Sequence, residues 1–355
     1  MPPSWHITPV DQAVRSRIQD RINQKTKPLG ALGQLENLAM QIALIQHSDA
    51  VSSNIQIPND YLQINRPRML VFAADHGIAA EGVSIAPSAV TQQMVLNFLA
   101  GGAAINCFCR SAGLPLVIID AGIAEEIQPQ PNDLINQRVA AGTHNFAQQA
   151  AMSKSELETA LNLGSTLAQH HINKGSNLLA FGEMGIGNSS SAAALLAALS
   201  QAPLTQCVGR GTGINDAQLT KKIILIQQAL ARISSTEPLD LLAEVGGFEI
   251  AQICGAMLAT AAAKKIILVD GFIVTAAAML AVALHPAARD YMIFAHQSLE
   301  SGHQLMLQRL GAQPLLNLDL RLGEGTGAAL ALPLLNAAIC FYNDMATFAS
   351  AGVKV

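Results

Sequence analysis

Short apolar runs recur along this chain, and each is followed by a small polar or glycine cluster and then by a helical segment. Continuous apolar strands that alternate with helices are typical of a parallel sheet whose two faces are both covered. The pattern therefore predicts an α/β fold with a parallel sheet flanked by helices. The predicted strands are residues 69–74, 116–119, 178–181, 266–269 and 291–294, with a weaker sixth at 207–208.

The two ends of the chain carry a helical pattern instead. We expect residues 1–60 plus 328–355 to form a second, smaller helical domain that packs against a large α/β catalytic domain of residues 61–327. The predicted elements of the two ends are amphipathic helices at 10–24 and 34–46, a linker at 54–59 and a helix at 326–350.

The composition indicates which partners the protein has. Charged residues make up only 13% of the chain and hydrophobic residues 50%, whereas about 25% charged residues is usual. Because such a surface is poor in charge, we expect a homo-oligomer, and a two-fold homodimer is the commonest symmetry. A net charge of −4, 4% aromatic residues and the lack of a basic run argue against nucleic-acid binding.

One stretch needs a membrane test. Residues 266–284 contain a single charge, Asp270, which is followed by Gly271. This pair divides the stretch into a β-branched half and an alanine-rich half, so strand, turn and helix explain it better than a membrane span. The N-terminus has no apolar signal-peptide core, and a cytoplasmic protein without membrane contact is expected.

Metal and disulfide signals are weak. The five cysteines are scattered without CxxC spacing, and no HxxxH or HExxH pattern occurs. We therefore expect reduced cysteines, no metal and no cofactor.

The glycine-rich segment 321–327 is the strongest chemical signal. It places a single carboxylate, Glu324, between glycines and before an apolar helix. Glycines let backbone and substrate approach closely. Glu324 is therefore predicted to take a proton from a substrate bound over the start of that helix.

A second glycine-rich segment, residues 182–190, follows a predicted strand and opens a helix. Free N–H groups and the helix dipole favour a phosphate there. The alternative is a plain strand–helix turn with Asn188 or Ser189 as the N-cap. The segment is neither a Walker loop nor a GxGxxG fingerprint, which argues against ATP hydrolysis and NAD binding.

Other polar residues leave two interpretations open. Lys222 and Arg321 could neutralise a phosphate, although a solvated lysine is the more ordinary interpretation of Lys222 taken singly. Ser298 could hold a phosphate oxygen or cap its own helix. Asp75-His76 and His296 follow strands and are interpreted as hydrogen-bonded turn residues. The residues alone indicate an α/β enzyme that binds a phosphorylated small molecule and uses one or two carboxylates as acid–base groups.

Several motifs together identify a family that the chain resembles, the nicotinate-nucleotide–dimethylbenzimidazole phosphoribosyltransferases of cobalamin nucleotide-loop assembly. Each motif is weak alone, but their order along almost the whole chain is specific. The motifs are KPLGALGQLE (27–36), ADHG (74–77), EGV (81–83), TQQM (91–94), GGAAIN (101–106), GEMG with GN (182–188), GRGTG (209–213), VGGF (245–248), VDGF (269–272) and RLGEGTG (321–327).

The resemblance implies a Rossmann-like parallel sheet, a small helical domain and a homodimer. It also implies that nicotinate mononucleotide and 5,6-dimethylbenzimidazole react to give α-ribazole 5′-phosphate and nicotinate. Glu324 is implied as the general base, with Glu183 as a supporting carboxylate. By motif position, the nucleotide and its phosphate are implied to bind at Gly185, Gly187, Lys222, Asp270, Ser298 and Arg321.

The implied benzimidazole pocket departs from the family at one position. Some members carry Ser where this chain has Ala86, next to the proline of the base-pocket segment, and the loss of a hydroxyl bears on which base is held. Ala31, in the first motif, also replaces a usual Ser. Two alternatives follow: the same chemistry with another acceptor, such as a purine or a phenol, or a nucleotide-binding protein without catalysis. The implied pocket residues are Ala86, Met94, Met184 and Leu322.

Overall fold

One parallel sheet organises the protein. The structure is a computed structural model that describes residues 4–52, 61–211 and 213–354. Within these residues, six strands pair in the order β3-β2-β1-β4-β5-β6, and every pairing is parallel. This order is that of doubly wound dinucleotide-binding folds, whose ligands bind beyond the carboxyl ends of the strands. The strands are β1 (Arg68–Ala74), β2 (Leu116–Gly122), β3 (Leu134–Asn136), β4 (Leu178–Met184), β5 (Ile266–Val269) and β6 (Met292–Phe294).

Helices cover the sheet, and short 3₁₀ turns lie at Gly77–Glu81 and Pro286–Tyr291. The helices are α1 (Arg15–Asn23), α2 (Gln34–Ser52), α3 (Ala89–Ala100), α4 (Ala104–Ala112), α5 (Lys154–Asn173), α6 (Asn188–Ser200), α7 (Leu204–Cys207), α8 (Asp216–Arg232), α9 (Pro238–Val245), α10 (Phe248–Ala262), α11 (Phe272–Leu284), α12 (His303–Arg309) and α13 (Thr326–Asp344).

Five predicted strands are confirmed, and one is wrong. Cys207 ends the short helix α7, and Val208 is extended but pairs with no strand among the described residues. Two apolar residues are too few to tell a strand from a helix end. Strand β3 is not among the predicted strands, because only two of its three residues, Leu134 and Ile135, are apolar.

Glycines let two helices pack closely over the sheet. A side chain at Gly164 of α5 would overlap the main chain of Gln252 on α10, and one at Gly255 would overlap Leu161. Helix α10 is buried along almost its whole length as a result. These contacts place a second apolar layer over the sheet, where charged residues would be costly.

The apolar stretch 266–284 divides as predicted, into β5, a turn at Asp270–Gly271 and the buried helix α11. A different helix, α13, is long and apolar enough to cross a membrane by length and composition, but 56% of its apolar window is buried inside the protein. Burial to this extent is typical of a helix in a protein core, and we interpret α13 as such a helix.

The two ends of the chain meet in space. Helix α13 packs against α2 and α4, Lys25 Nζ donates to the Met345 carbonyl at 2.7 Å, and the Arg21 guanidinium lies 4.6 Å from the centre of the Tyr342 ring. The predicted N- and C-terminal helices therefore form in contact with each other. The division into two domains stays a prediction, and the predicted linker at 54–59 lies outside the described residues.

Candidate active site

A cavity that is open to solvent lies at the carboxyl edge of β4, β5 and β6. Apolar walls come from the start of α11, together with Val83 and Leu322, whereas the start of α6 contributes polar residues. The sequence-predicted site residues that line it are Glu183, Met184, Gly185, Gly187, Asp270, Ser298, Arg321 and Leu322.

Four predicted residues do not line this cavity: Lys222, Glu324, Ala86 and Met94. Lys222 and Glu324 lie directly behind its wall, as described below. Ala86 is half-buried beside the lining residues Val83 and Ser84, and Met94 packs on the core from α3.

The turn from β4 to α6 needs its glycines. A side chain at Gly185 would overlap the Ala74 carbonyl, and Gly187 has a left-handed φ of +100°. Gly187, rather than Asn188 or Ser189, is the N-cap residue of α6. Since Asn188 and Ser189 both line the cavity, the helix start faces it with N–H groups that favour an anion.

Glu183 is a buried carboxyl at the end of β4. Burial raises its pKa to about 8, with further upward contributions from the charges of Glu249 and Asp270. Asn188 Nδ2 donates a hydrogen bond to Glu183 Oε2. The carboxyl is therefore protonated at neutral pH, and it can donate a hydrogen bond to a ligand.

Lys222 is a buried cation next to the start of α6. Only 1% of its surface is exposed, so the solvated-lysine interpretation is wrong. Its Nζ donates to Ser189 Oγ at 2.9 Å and to the Gly209 carbonyl at 3.3 Å. Burial lowers its pKa to about 8. Ser189 lines the cavity, so the positive charge of Lys222 lies one side chain away from it.

Ser298 does not cap a helix. Its backbone N–H donates to His303 Nδ1 at 2.8 Å, and its hydroxyl accepts from the Glu300 N–H at 3.3 Å. The next helix, α12, begins later, with Gly302 as its N-cap. Ser298 instead shapes a turn that lines the cavity beside Glu300.

Glu324 lies in the turn that enters α13. Its backbone is left-handed, with φ +63°, between two left-handed glycines. Its Oε2 accepts a hydrogen bond of 3.2 Å from the Ile105 N–H at the start of α4. Burial raises the pKa of this carboxyl, and the Ile105 bond opposes the shift. A raised pKa suits a carboxylate that accepts a proton near neutral pH.

Asp270 follows β5 and is buried. Its two oxygens accept hydrogen bonds from the Gly325 N–H at 3.2 Å and the Ala328 N–H at 2.9 Å. His296 Nε2 lies 3.6 Å from Asp270 Oδ1. Burial raises the pKa of this carboxyl.

Asp75 and His76 are hydrogen-bonded, as interpreted from the sequence, but their partners come from distant parts of the chain. His76 Nε2 lies 2.7 Å from Glu249 Oε1, and its Nδ1 lies 3.0 Å from Ser191 Oγ. The Thr91 hydroxyl donates to Asp75 and accepts from the Ile186 N–H of the β4–α6 turn. The sequence signal for these contacts is an Asp-His pair directly after a buried strand. An aspartate is rarely buried at such a position without a partner.

Metal-ligating side chains do not converge in this site. In the three described ranges, no group of three or more His, Cys, Asp or Glu side chains is arranged to hold a metal ion. All five cysteines are unpaired.

Known proteins resemble this chain over its whole length. The family described as a phosphoribosyltransferase matches residues 7–353. The nicotinate-nucleotide–dimethylbenzimidazole phosphoribosyltransferase of Vibrio cholerae serotype O1 is 56% identical over 346 residues, which cover 98% of this chain and 100% of that protein. The protein of the same name from Photobacterium profundum is 57% identical over 351 residues, with 98% and 99% covered.

A solved structure agrees with these matches. The crystal structure of CobT from Thermus thermophilus has a TM-score of 0.89 and 45% sequence identity, and the match covers 96% of this chain and 99% of that one. The match thus includes nearly the whole chain. The chain therefore belongs to the nicotinate-nucleotide–dimethylbenzimidazole phosphoribosyltransferase family.

Proposed function

We propose that this protein transfers the 5-phosphoribosyl group of nicotinate mononucleotide to 5,6-dimethylbenzimidazole, giving α-ribazole 5′-phosphate and nicotinate for cobalamin nucleotide-loop assembly. The observation that carries the proposal is the composition of one cavity edge. An anion-favouring helix start backed by Lys222 lies at this edge, and its first residue, Asn188, is hydrogen-bonded to the buried carboxyl of Glu183. The buried carboxyl of Glu324 lies directly behind the wall.

The chemistry requires few protein groups. The nicotinate ring of the nucleotide is a pyridinium, so the C1′–N bond breaks with its electron pair going to the ring nitrogen, and the ring leaves without needing an acid. One benzimidazole nitrogen attacks C1′ from the opposite face, which converts a β bond into an α bond. The other nitrogen then gives its proton to a general base.

Glu324 is the proposed base. Its raised pKa makes it a better proton acceptor than an exposed glutamate, and the Ile105 N–H holds its Oε2. Glu183 supports it as a neutral carboxylic acid, because its pKa of about 8 keeps it protonated at neutral pH.

The nucleotide is proposed to lie across the β4–α6 turn. Its phosphate binds at the N–H groups after Gly185 and Gly187, where Lys222 supplies the countercharge through Ser189. Ser298 and Arg321 line the same cavity, and Arg321 is exposed at its mouth.

The benzimidazole is proposed to pack against Met184 and Leu322. Leu322 is 58% exposed, which leaves an apolar surface for a flat dimethylated ring to cover. Met94 and Ala86 are proposed to shape the same benzimidazole pocket from behind the segment that contains Val83 and Ser84. A purine or phenol acceptor is the second candidate, favoured by the missing hydroxyl at Ala86.

A homodimer in the cytoplasm completes the proposal. It is supported by the low charge content and by exposed apolar side chains, among them Leu29, Ile85 and Leu318. We propose that residues 1–60 plus 328–355 of each chain form a small domain that is distinct from the catalytic domain.

The test is direct. Purified protein is incubated with nicotinate mononucleotide and 5,6-dimethylbenzimidazole, and chromatography follows α-ribazole 5′-phosphate and free nicotinate. Product in a one-to-one ratio supports the proposal. Nicotinate release only with a purine or a phenol favours the second candidate, and no release with any base contradicts catalysis.

A further inference from the structure

The backbone that carries Glu324 is held in a costly conformation. Gly323, Glu324 and Gly325 are all left-handed, with φ values of +85°, +63° and +89°. For a residue other than glycine this conformation is unfavourable, and it persists only when the surrounding structure fixes it. A contact must therefore hold the turn.

Asp270 makes that contact from the end of β5. One oxygen accepts the N–H of Gly325, the residue directly after Glu324, and the other accepts the N–H of Ala328 in the first turn of α13. Bonds between a carboxylate and the free N–H groups of a helix start are favoured by charge and by the helix dipole. Only 1% of Asp270 is exposed, so water competes little for these bonds.

This geometry differs from that of a nucleotide ligand. Both Asp270 oxygens are already bonded to the α13 turn, and His296 Nε2 lies 3.6 Å from one of them. Glu324 is in turn fixed at its other end, where the Ile105 N–H bonds its Oε2. Asp270 fixes the backbone of Glu324, and Ile105 fixes its carboxylate.

We infer that Asp270 is a positioning residue that holds the Glu324 turn, and that it acts on turnover through Glu324 rather than by binding the nucleotide. The inference rests on the proposed role of Glu324 as general base. Because a misplacement of about 1 Å can cost roughly a hundredfold in rate, loss of Asp270 should slow the reaction even while the nucleotide stays bound.

The experiment compares Asp270→Asn, Glu324→Gln and the double variant. For each, kcat is measured with both substrates, and the Kd of nicotinate mononucleotide is measured by calorimetry. We expect Asp270→Asn to lower kcat by about 10- to 100-fold and to change Kd by less than about twofold. The double variant should be no more than about twofold slower than Glu324→Gln alone, because residues that act as a unit are not additive.

Asp120→Asn is the matched control. Asp120 is also a buried carboxyl at a strand end, and its Oδ1 accepts the backbone N–H groups of Gly122 and Ile123 at 2.9 and 2.8 Å. It lies at β2 and does not line the cavity. The same chemical change there should leave the kcat of folded enzyme unchanged. Asp270→Ser, which removes the charge without adding an amide donor, should repeat the Asp270→Asn pattern.

The outcomes separate this inference from the proposed function. If Glu324→Gln turns over normally, Glu324 is not the base, and the positioning role of Asp270 falls with it. If Glu324→Gln is slow but the double variant is slower by the full Asp270 factor, the base stands and the positioning inference is wrong. A tenfold rise in nucleotide Kd with normal kcat would make Asp270 a nucleotide ligand.

Discussion

The main chain of Glu324 lies directly on Gly182, with no room between them for a side chain. A Cβ at Gly182 would lie 2.6 Å from the Glu324 carbonyl carbon and 2.7 Å from the Gly325 nitrogen. A side chain at Gly323 would likewise overlap the carboxyl of Glu183. The two glycine-rich motifs therefore fit together, and their glycines bring the two carboxyl residues to one edge of the sheet.

Replacing Gly182 with alanine should separate the two motifs. The added methyl group must push the Glu324 turn away, and overpacking of this kind costs about 1–3 kcal/mol of folding stability. We expect kcat to fall at least tenfold in folded enzyme, measured with both substrates below the midpoint of thermal unfolding. Gly164→Ala is the control, since it creates a similar main-chain overlap between α5 and α10. Equal kcat values for the two variants would contradict the importance of the Gly182 contact.

Glu183 should make stability depend on pH. Its pKa rises from 4.5 in an exposed chain to about 8 on burial. Between these values the folded state keeps a proton that the unfolded chain has lost, so the free energy of unfolding falls as pH rises and levels off above about pH 8. Glu183→Gln should remove this part of the slope.

Urea unfolding at about pH 5.5, 7 and 8.5 measures the effect as the difference between wild type and variant. Glu244→Gln, at a half-exposed glutamate that pairs with Arg232, should keep the wild-type slope. If the free energy of unfolding of Glu183→Gln changes with pH in parallel with that of wild type across this range, then Glu183 is ionised in the folded protein.

The sequence predicts elements of the sheet well and contacts between elements poorly. β1, β4 and β5 are continuous apolar runs, because both faces of the sheet are covered. The carboxyl ends of β4 and β5 carry polar residues that line the cavity. β3 escapes prediction because three residues at the sheet edge leave no periodic signal.

Site residues whose role depends on a partner far along the chain are the hardest to predict. The bond between Ile105 and Glu324 spans 219 positions, and that between His76 and Glu249 spans 173. No spacing rule links such residues. Lys222 shares the buried face of α8 with Ile226 and Ala229, at positions i, i+4 and i+7. A lysine on that face can also reach solvent, so the sequence does not reveal that its charge is buried.

Lys222 should govern nucleotide affinity. Replacing it with methionine removes the cation behind the phosphate site, and a hydrogen bond to a charged group is worth about 1.5–3 kcal/mol, or roughly 10- to 100-fold in Kd. Since its pKa is lowered to about 8, wild-type Kd should rise as pH passes about 8 and the lysine loses its charge. Lys222→Met should bind weakly at every pH without that rise.

Calorimetric titration with nicotinate mononucleotide from about pH 7 to 9 tests this behaviour. Lys221→Met is the control, because Lys221 is the neighbouring lysine on α8 but is half-exposed and lies 3.7 Å from Glu81. A collapse of kcat in Lys222→Met with unchanged Kd would contradict the phosphate role.

Ala86 should influence which base is accepted. It lies in the segment that follows the cavity residues Val83 and Ser84, and its N–H donates to Ser84 Oγ at 3.2 Å. Ala86→Ser adds a hydroxyl beside the proposed base pocket, and one new hydrogen bond is worth about 0.5–1.5 kcal/mol. We expect kcat/KM for 5,6-dimethylbenzimidazole relative to adenine or a phenol to change by about 2- to 10-fold, with nucleotide Kd unchanged.

Competition assays with pairs of bases measure this ratio of kcat/KM values. Ala89→Ser is the control, because Ala89 is exposed at the start of α3. If both serine variants leave the ratio at its wild-type value, the base is chosen elsewhere, and Met184 and Leu322 become the residues to vary.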